Sequence, residues 1–264
     1  MAQLSISVRG VSKKFPASPG SKEVLALDNV SLEIAAGEFV SVVGPSGCGK
    51  STLLDILAGL TRPSMGEVYI GGKPVRGPHP EVGVVFQEDS TFPWLRVREN
   101  IEFALKARAF PAEQRRERIR QMIELVGLVG FENHYPQQLS GGMRQRVAIA
   151  RTLALAPGVL LMDEPFGALD AQTRLLMGDE LLKLWRSIGC TVVFVTHDIG
   201  EAVRLSNRVV VMTARPGRIK EVVNVDLPDE RDFETVGVME KYNQINAHIW
   251  HLLKGEVLRT VAVA

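Results

Sequence analysis

The chain has two cysteines in 264 residues, too few for a disulfide framework, and Cys48 and Cys190 lack the spacing of a metal site. No apolar run reaches the roughly twenty residues that span a bilayer. The start Met-Ala-Gln-Leu-Ser-Ile-Ser-Val-Arg has no basic region followed by a secretory core. The expectation is a chain that stays in the cytoplasm. Neither sign of charge is in excess: 31 Lys and Arg against 30 Asp and Glu give a formal charge of +1. Without a long basic block, a nucleic-acid partner is not favoured. Internal duplication and low-complexity stretches are missing too. What remains is a globular composition, 45% hydrophobic and 23% charged, able to bury the core of one large domain or a domain with a subdomain.

Within it, Gly44-Pro45-Ser46-Gly47-Cys48-Gly49-Lys50-Ser51 fits G-x-x-x-x-G-K-[ST], and Thr52 follows directly. The apolar, β-branched run Glu38 to Val43 precedes it and a helix-like segment, Ser51 to Ala58, follows. Strand, glycine loop and helix start is the context in which backbone N–H groups converge on phosphate oxygens. Lys50 then supplies a point charge near the β- and γ-phosphates, and Ser51 a hydroxyl for Mg²⁺. Cys48 lies inside the loop. Either the helix start lowers its thiol pKa and bound ATP shields it, or it is a packed, unreactive thiol.

Alternating apolar residues at Leu4, Ile6 and Val8, and again from Val24 to Ile34, predict an N-terminal β-region with a loop at 16–21. Strands are expected at Glu67 to Ile70 and Val82 to Phe86. From Arg96 to about Ala156 the composition turns helical, with Ile119, Met122, Ile123 and Val126 on one face. Arg115, Arg116, Arg118 and Arg120 read there as a charged outer face. Buried-strand runs return at Val159 to Met162 and Thr191 to Val195, around a helix from Ala171 to Arg186. This alternation implies an α/β fold with a mainly parallel sheet.

Leu160-Leu161-Met162-Asp163-Glu164-Pro165 ends an apolar strand in two acids, at the sheet edge where ligands bind. Asp163 suits a Mg²⁺ partner, and Glu164 suits a proton acceptor for an attacking water. Leu139-Ser140-Gly141-Gly142-Met143-Arg144-Gln145-Arg146 starts a second helix, with Ser140 as N-cap and two glycines for close approach. Whether Ser140 serves a second ligand or a nucleotide from another molecule is open on these residues alone.

The ordered set formed by the phosphate loop, Val85-Phe86-Gln87, Leu139 to Arg146, Leu160 to Pro165, Gly167-Ala168-Leu169-Asp170 and Val195-Thr196-His197-Asp198 resembles the ATP-binding subunit of ATP-binding-cassette (ABC) transporters. The resemblance spans about residues 4 to 220. It implies an ABC-type phosphate-loop fold with an N-terminal antiparallel β-subdomain and an inserted helical subdomain. The implied boundaries within one domain (1–264) are a core with β-subdomain at 1–87 and 157–224, a helical subdomain at 88–156 and a helical extension at 225–264.

By the same resemblance, Gln87 senses metal and γ-phosphate, His197 is the switch histidine, Phe15 stacks on adenine, and Asp170 belongs to the loop after the acids. An apolar strand-end contact is the alternative for Phe15. Ser140, Gly141 and Gly142 contact ATP held by the opposing subunit, so two chains sandwich two nucleotides. The familiar LSGGQ is altered here, with Met143 at the fifth position and Gln145 two residues later.

The resemblance further implies Mg²⁺-dependent ATP hydrolysis by a homodimer that drives a separate membrane permease, fed by a solute-binding protein, from the cytoplasmic side of the membrane. A soluble, non-transport ABC ATPase is the alternative. Leu139 to Arg146, Asp163 to Arg174 and Met212 to Ile219 look like the nitrate, sulfonate and taurine importer subgroup. Phe92-Pro93-Trp94-Leu95 is either a permease-docking patch or core packing. At the C-terminus, Tyr242, Ile245, Ile249 and Leu252 predict a helix packed on this subunit, and His248 and His251 no metal site.

Overall fold

The structure is a computed structural model that describes residues 3–16, 23–88, 90–228, 231 and 233–263, with side chains through residue 258 except those of 233 and 234. Apart from Pro16, the expected loop at 16–21 lies outside these residues.

Period-two patterning forms β1 (Ile6–Phe15) and β2 (Val24–Ile34), which turn Ile6, Val8, Val30, Leu32 and Ile34 to a buried face. Every residue of β3 (Phe39–Val43) is buried, as expected of a central strand. From it the chain runs through the glycine loop into α1 (Lys50–Leu57). β4 (Met65–Ile70) and β5 (Lys73–Pro74) complete an antiparallel sheet of order β2-β1-β4-β5. After β6 (Val82–Val85) come the helices α2 (Val97–Ala107), α3 (Ala112–Leu125) and α4 (Gly141–Leu153).

The chain then alternates through β7 (Val159–Asp163), α5 (Ala171–Ile188), β8 (Thr191–Val195), α6 (Ile199–Leu205) and β9 (Arg208–Met212). It closes with β10 (Ile219–Asn224), α7 (Phe233–Val236) and α8 (Glu240–Val263). The second sheet has the order β10-β9-β3-β8-β7-β6. All its pairs are parallel except β10 with β9.

Some element ends differ from expectation. The helix expected to stop at Arg186 runs to Ile188, where Gly189 in the left-handed region ends it. β4 starts two residues before Glu67, and β6 stops one before Phe86.

Helix α1 lies between the two sheets. Its Leu53, Leu54, Ile56 and Leu57 join Ile6, Val8 and Val30 of one sheet and Val40, Val42 and Val193 of the other in one cluster. Each such side chain contributes about 1.5–3 kcal/mol on burial. That sustains a helix of 8 residues with no side-chain cap, a length that does not hold in water alone. On the opposite face of the parallel sheet a larger core gathers Ile101, Ile123, Val147, Phe166 and Leu181 from α2 to α5. A third, at the β9 edge, joins Val203 of α6, Val209 and Val211 of β9, and Ile249 and Leu253 of α8. The C-terminal helix is thus packed on this subunit.

Candidate nucleotide site

Because β3 pairs with β8 and β8 with β7, the carboxyl ends of these three strands adjoin, with Val42 and Asp163 both in register with Val195. Parallel topology therefore delivers the glycine loop, the two acids and the histidine to one edge.

The loop enters α1 at Gly49, an N-cap with φ +102° and no side-chain hydrogen bond. The first N–H groups of a helix have no intrahelical partner, and no capping side chain satisfies them at this end. Lys50 is 8% exposed. Its Nζ donates to the loop carbonyls of Gly44 at 2.9 Å and Pro45 at 3.2 Å. The ammonium is thus held over the loop, with one of its three N–H groups left over. The Ser51 hydroxyl lies beside the Asp163 carboxyl and favours its charged form. Burial pushes the Asp163 carboxyl above its usual range, against the opposing pull of that hydroxyl and of the Lys50 charge.

Glu164 turns the chain out of β7 at φ +44°, a conformation that costs a bulky residue about 1–3 kcal/mol and recurs at functional sites. Two backbone bonds hold it: its N–H donates to Val195 O at 2.9 Å, and Gly167 N–H donates to its carbonyl at 3.0 Å. The turn separates the two carboxylates. Asp163 faces Ser51, while Glu164 Oε2 lies 3.1 Å from His197 Nδ1. His197 is well exposed and Glu164 mostly shielded, so the pair opens to solvent on the histidine side.

A second group forms around α4. Ser140 Oγ accepts the Met143 N–H at 3.2 Å, and a Cβ on Gly142 would lie 2.8 Å from Leu169 Cδ2. Gly142 thus sits against the 167–170 loop, where Asp170 caps α5 by accepting the Thr173 N–H at 3.0 Å; Ser140 and Gly141 precede it at the start of the same helix. Met143, the departure from LSGGQ, packs its side chain on the helical core.

Gln87 is exposed on the loop after β6, and Gln145 of α4 holds its neighbour by donating to Phe86 O at 3.1 Å. Phe15, 41% exposed at the end of β1, has Lys13 Nζ 5.2 Å from its ring centroid.

Three sequence readings change. Cys48 is 1% exposed, and burial pushes its thiol up, outweighing the lowering by Lys50, by the backbone N–H groups and by Arg215. The reactive alternative is corrected: Cys48 is a packed thiol. Trp94, at 69% exposed, is not core. It forms a surface patch with Phe92, whose ring lies 5.6 Å from that of Trp94 and 4.7 Å from that of Phe103. Finally, the four arginines of α3 are not uniformly solvated. Arg115 and Arg118 donate to the carbonyls of Phe110 and Ala154, while Arg120 pairs with Glu117 and Glu124 on the outside.

Sequence reasoning passed over Arg215. Its Nε donates to the Gly47 carbonyl at 3.1 Å, and the available signal was the Arg215-Pro216-Gly217-Arg218 run, read only as a subgroup mark.

A glycine loop and strand-end acids at one edge of a parallel sheet define a phosphate-loop nucleoside triphosphatase. The family described as ABC transporter matches residues 27–167, and the chain belongs to it as an ATPase cassette. An uncharacterized ABC transporter ATP-binding protein of Methanocaldococcus jannaschii is 50% identical over 98% of this chain and 95% of its own length. The aliphatic sulfonates import ATP-binding protein SsuB of Bacillus cereus is 47% identical, over 86% of this chain and 89% of its own. The nitrate import ATP-binding protein NrtD of Synechocystis is 44% identical, over 87% and 85%. Among solved structures, the ATP-binding cassette MJ0796, a dimer in a post-hydrolysis state bound to ADP and Pi, matches with a TM-score of 0.76. It shares 38% identity and covers 84% of this chain and 100% of that one.

Proposed function

We propose that this chain is the ATP-hydrolysing subunit of an importer of the nitrate, sulfonate and taurine type. In this reading it dimerises around ATP and works on a separate membrane permease supplied by a solute-binding protein. The observation that carries the ATPase part is the split of the two acids, Asp163 toward Ser51 and Glu164 toward His197. The importer part is supported by the likeness to SsuB and NrtD at 47% and 44% identity.

Gly44 to Thr52 cradle the phosphates with backbone N–H groups, and Lys50 moves its ammonium from the loop carbonyls to the β- and γ-phosphate oxygens. Phe15 offers a face to adenine. Glu164 accepts the proton of the attacking water, and His197 at 3.1 Å orients that carboxylate and contacts the γ-phosphate. Ser51, Asp163 and Gln87 present only oxygen donors to a cation, the set a hard divalent ion takes beside substrate phosphates. Mg²⁺ held there supplies neutralising charge to the β- and γ-phosphate oxygens. Ser140, Gly141, Gly142 and Asp170 complete the site of an opposing copy. In this reading the domain divides into core and β-subdomain at 1–87 and 157–224, helical subdomain at 88–156 and extension at 225–264.

Among the described residues no helix is long and apolar enough to cross a membrane. In this reading the chain sits peripherally on the cytoplasmic face, with Phe92, Trp94 and Phe103 as the docking patch. Deleting its gene should abolish growth on aliphatic sulfonates, taurine or nitrate as the source of sulfur or nitrogen, and the chain should co-purify with a permease. In Trp94→Ala, permease-stimulated hydrolysis and uptake should fall about tenfold while basal hydrolysis is kept, as for a central aromatic anchor. A chain that hydrolyses ATP yet fractionates without any membrane protein is instead a soluble, non-transport ABC ATPase.

A further inference from the structure

The turn between β9 and β10 touches three parts of the molecule at once. Toward the phosphate loop, Arg215 Nε donates to Gly47 O at 3.1 Å, and Gly217 sits so close that a Cβ there would lie 2.0 Å from Cys48 O. Toward the antiparallel sheet, Gly217 N–H donates to Ala26 O at 2.9 Å and its carbonyl accepts Asp28 N–H at 3.0 Å. Arg218 Nε and the Asp28 carboxylate, 2.9 Å apart, form an ion pair beside these bonds. Toward the C-terminus, Ala214 N–H donates to Glu256 Oε2 of α8 at 3.1 Å.

Glu256 is 3% exposed, and its other oxygen accepts from Lys220 Nζ at 2.8 Å. Lys220 Nζ also donates to Leu252 O of α8 at 2.8 Å. A buried carboxylate is retained only where its partners satisfy it, and these partners fix α8 to the residue before Arg215. One continuous path therefore runs from the C-terminal helix through Ala214 and Arg215 to the tip of the phosphate loop. The same turn ties that loop to the sheet whose β1 ends in Phe15.

We infer that Arg215 and Glu256 are positioning residues for nucleotide binding: Arg215 clasps the phosphate loop at Gly47, and Glu256 of α8 holds the turn that aims Arg215. The inference rests on the reading of residues 44–52 as the phosphate-binding loop. Neither residue touches the reacting atoms, so their loss weakens ATP binding and leaves the chemical step at saturation largely intact.

The test uses the full chain, with a fluorescent ATP analogue for Kd and a steady-state assay for kcat and KM. Arg215→Ala, an exposed position, should weaken binding about tenfold, the scale of a lost charged hydrogen bond, with kcat within about twofold. Glu256→Ala should weaken it several-fold. Glu256→Gln keeps an acceptor for Ala214 N–H and should restore most of the affinity. The double variant should bind no more weakly than Arg215→Ala alone, because the two residues act in series.

If Glu256→Ala does not fold, Glu256→Asp keeps the charge but withdraws the acceptor by one methylene and should show the same loss. Unchanged affinity in Arg215→Ala, or additive losses in the double variant, overturns the inference. Lys50→Ala separates this from the underlying reading. If it binds the analogue as tightly as the wild type, the phosphate-loop assignment fails. If it loses binding while the Arg215 and Glu256 variants do not, only the inference fails.

Discussion

Two helices in this chain begin at glycine-rich turns, and they begin differently. α1 opens at Gly49 with no side-chain cap and a buried lysine folded onto the loop carbonyls. α4 opens at Ser140, whose hydroxyl already accepts the Met143 N–H, and its Gly142 lies against the 167–170 loop. The first start is held in place by tertiary burial and leaves its donors for a ligand. The second satisfies itself, so it stays formed before any ligand arrives. On the proposed function, the first start builds the nucleotide pocket and the second seals the pocket of another molecule, roles that call for these two designs.

The contrast breaks most sharply at the chemistry behind α1. Glu164→Gln should lower kcat by about 10²–10⁴, the range for losing a general base, while ATP binding persists and a closed dimer accumulates on a sizing column. Full turnover by that variant removes Glu164 from the base role. Next, Lys50→Ala should cost about 10²–10³ in kcat, as for a lost electrostatic donor, together with weaker nucleotide binding.

Ser140→Ala sharpens the other side of the comparison. It should cost about 1 kcal/mol of stability through the lost cap, read as a lower Tm, and it should slow dimer-dependent hydrolysis while leaving monomer nucleotide affinity unchanged. A matching loss of monomer affinity would erase the distinction between the two helix starts.

The smallest effect concerns pH. Burial raises the Asp163 pKa above its unfolded value of 3.8, so between those two values the folded chain binds more protons than the unfolded one. Stability of the free protein therefore falls as pH rises through that window. A bound cation favours the carboxylate and opposes the trend. The Mg²⁺-dependent part of nucleotide binding, measured against chelator, should fade on acidification above pH 3.8 in the wild type, and Asp163→Asn should lack that part throughout.

Much of the pocket was legible in the sequence because it is local. The octet at 44–51 carries its turn, donors and charge within one strand-loop-helix unit, and Asp163-Glu164-Pro165 states its own strand end. The buried faces of β1, β2 and α3 followed from period two and period 3.6 for the same reason. Cys48 was misjudged in one of its alternatives because a helix start argues for a lowered thiol pKa, while burial beneath Gly217 and Met212 belongs to distant segments. Trp94 was undecided because an aromatic run reads alike in a core and on a surface.

The sequence by itself determined the phosphate loop, the main alternation of strands and helices through β8 and the family, since each is written in neighbouring residues. Only the tertiary structure decided that Asp163 and Glu164 face different partners, that Met143 packs against the helical core and that Glu256 reaches the turn beside Gly47. Those outcomes depend on which strands pair and how closely distant backbones approach, and no run of adjacent residues contains that information.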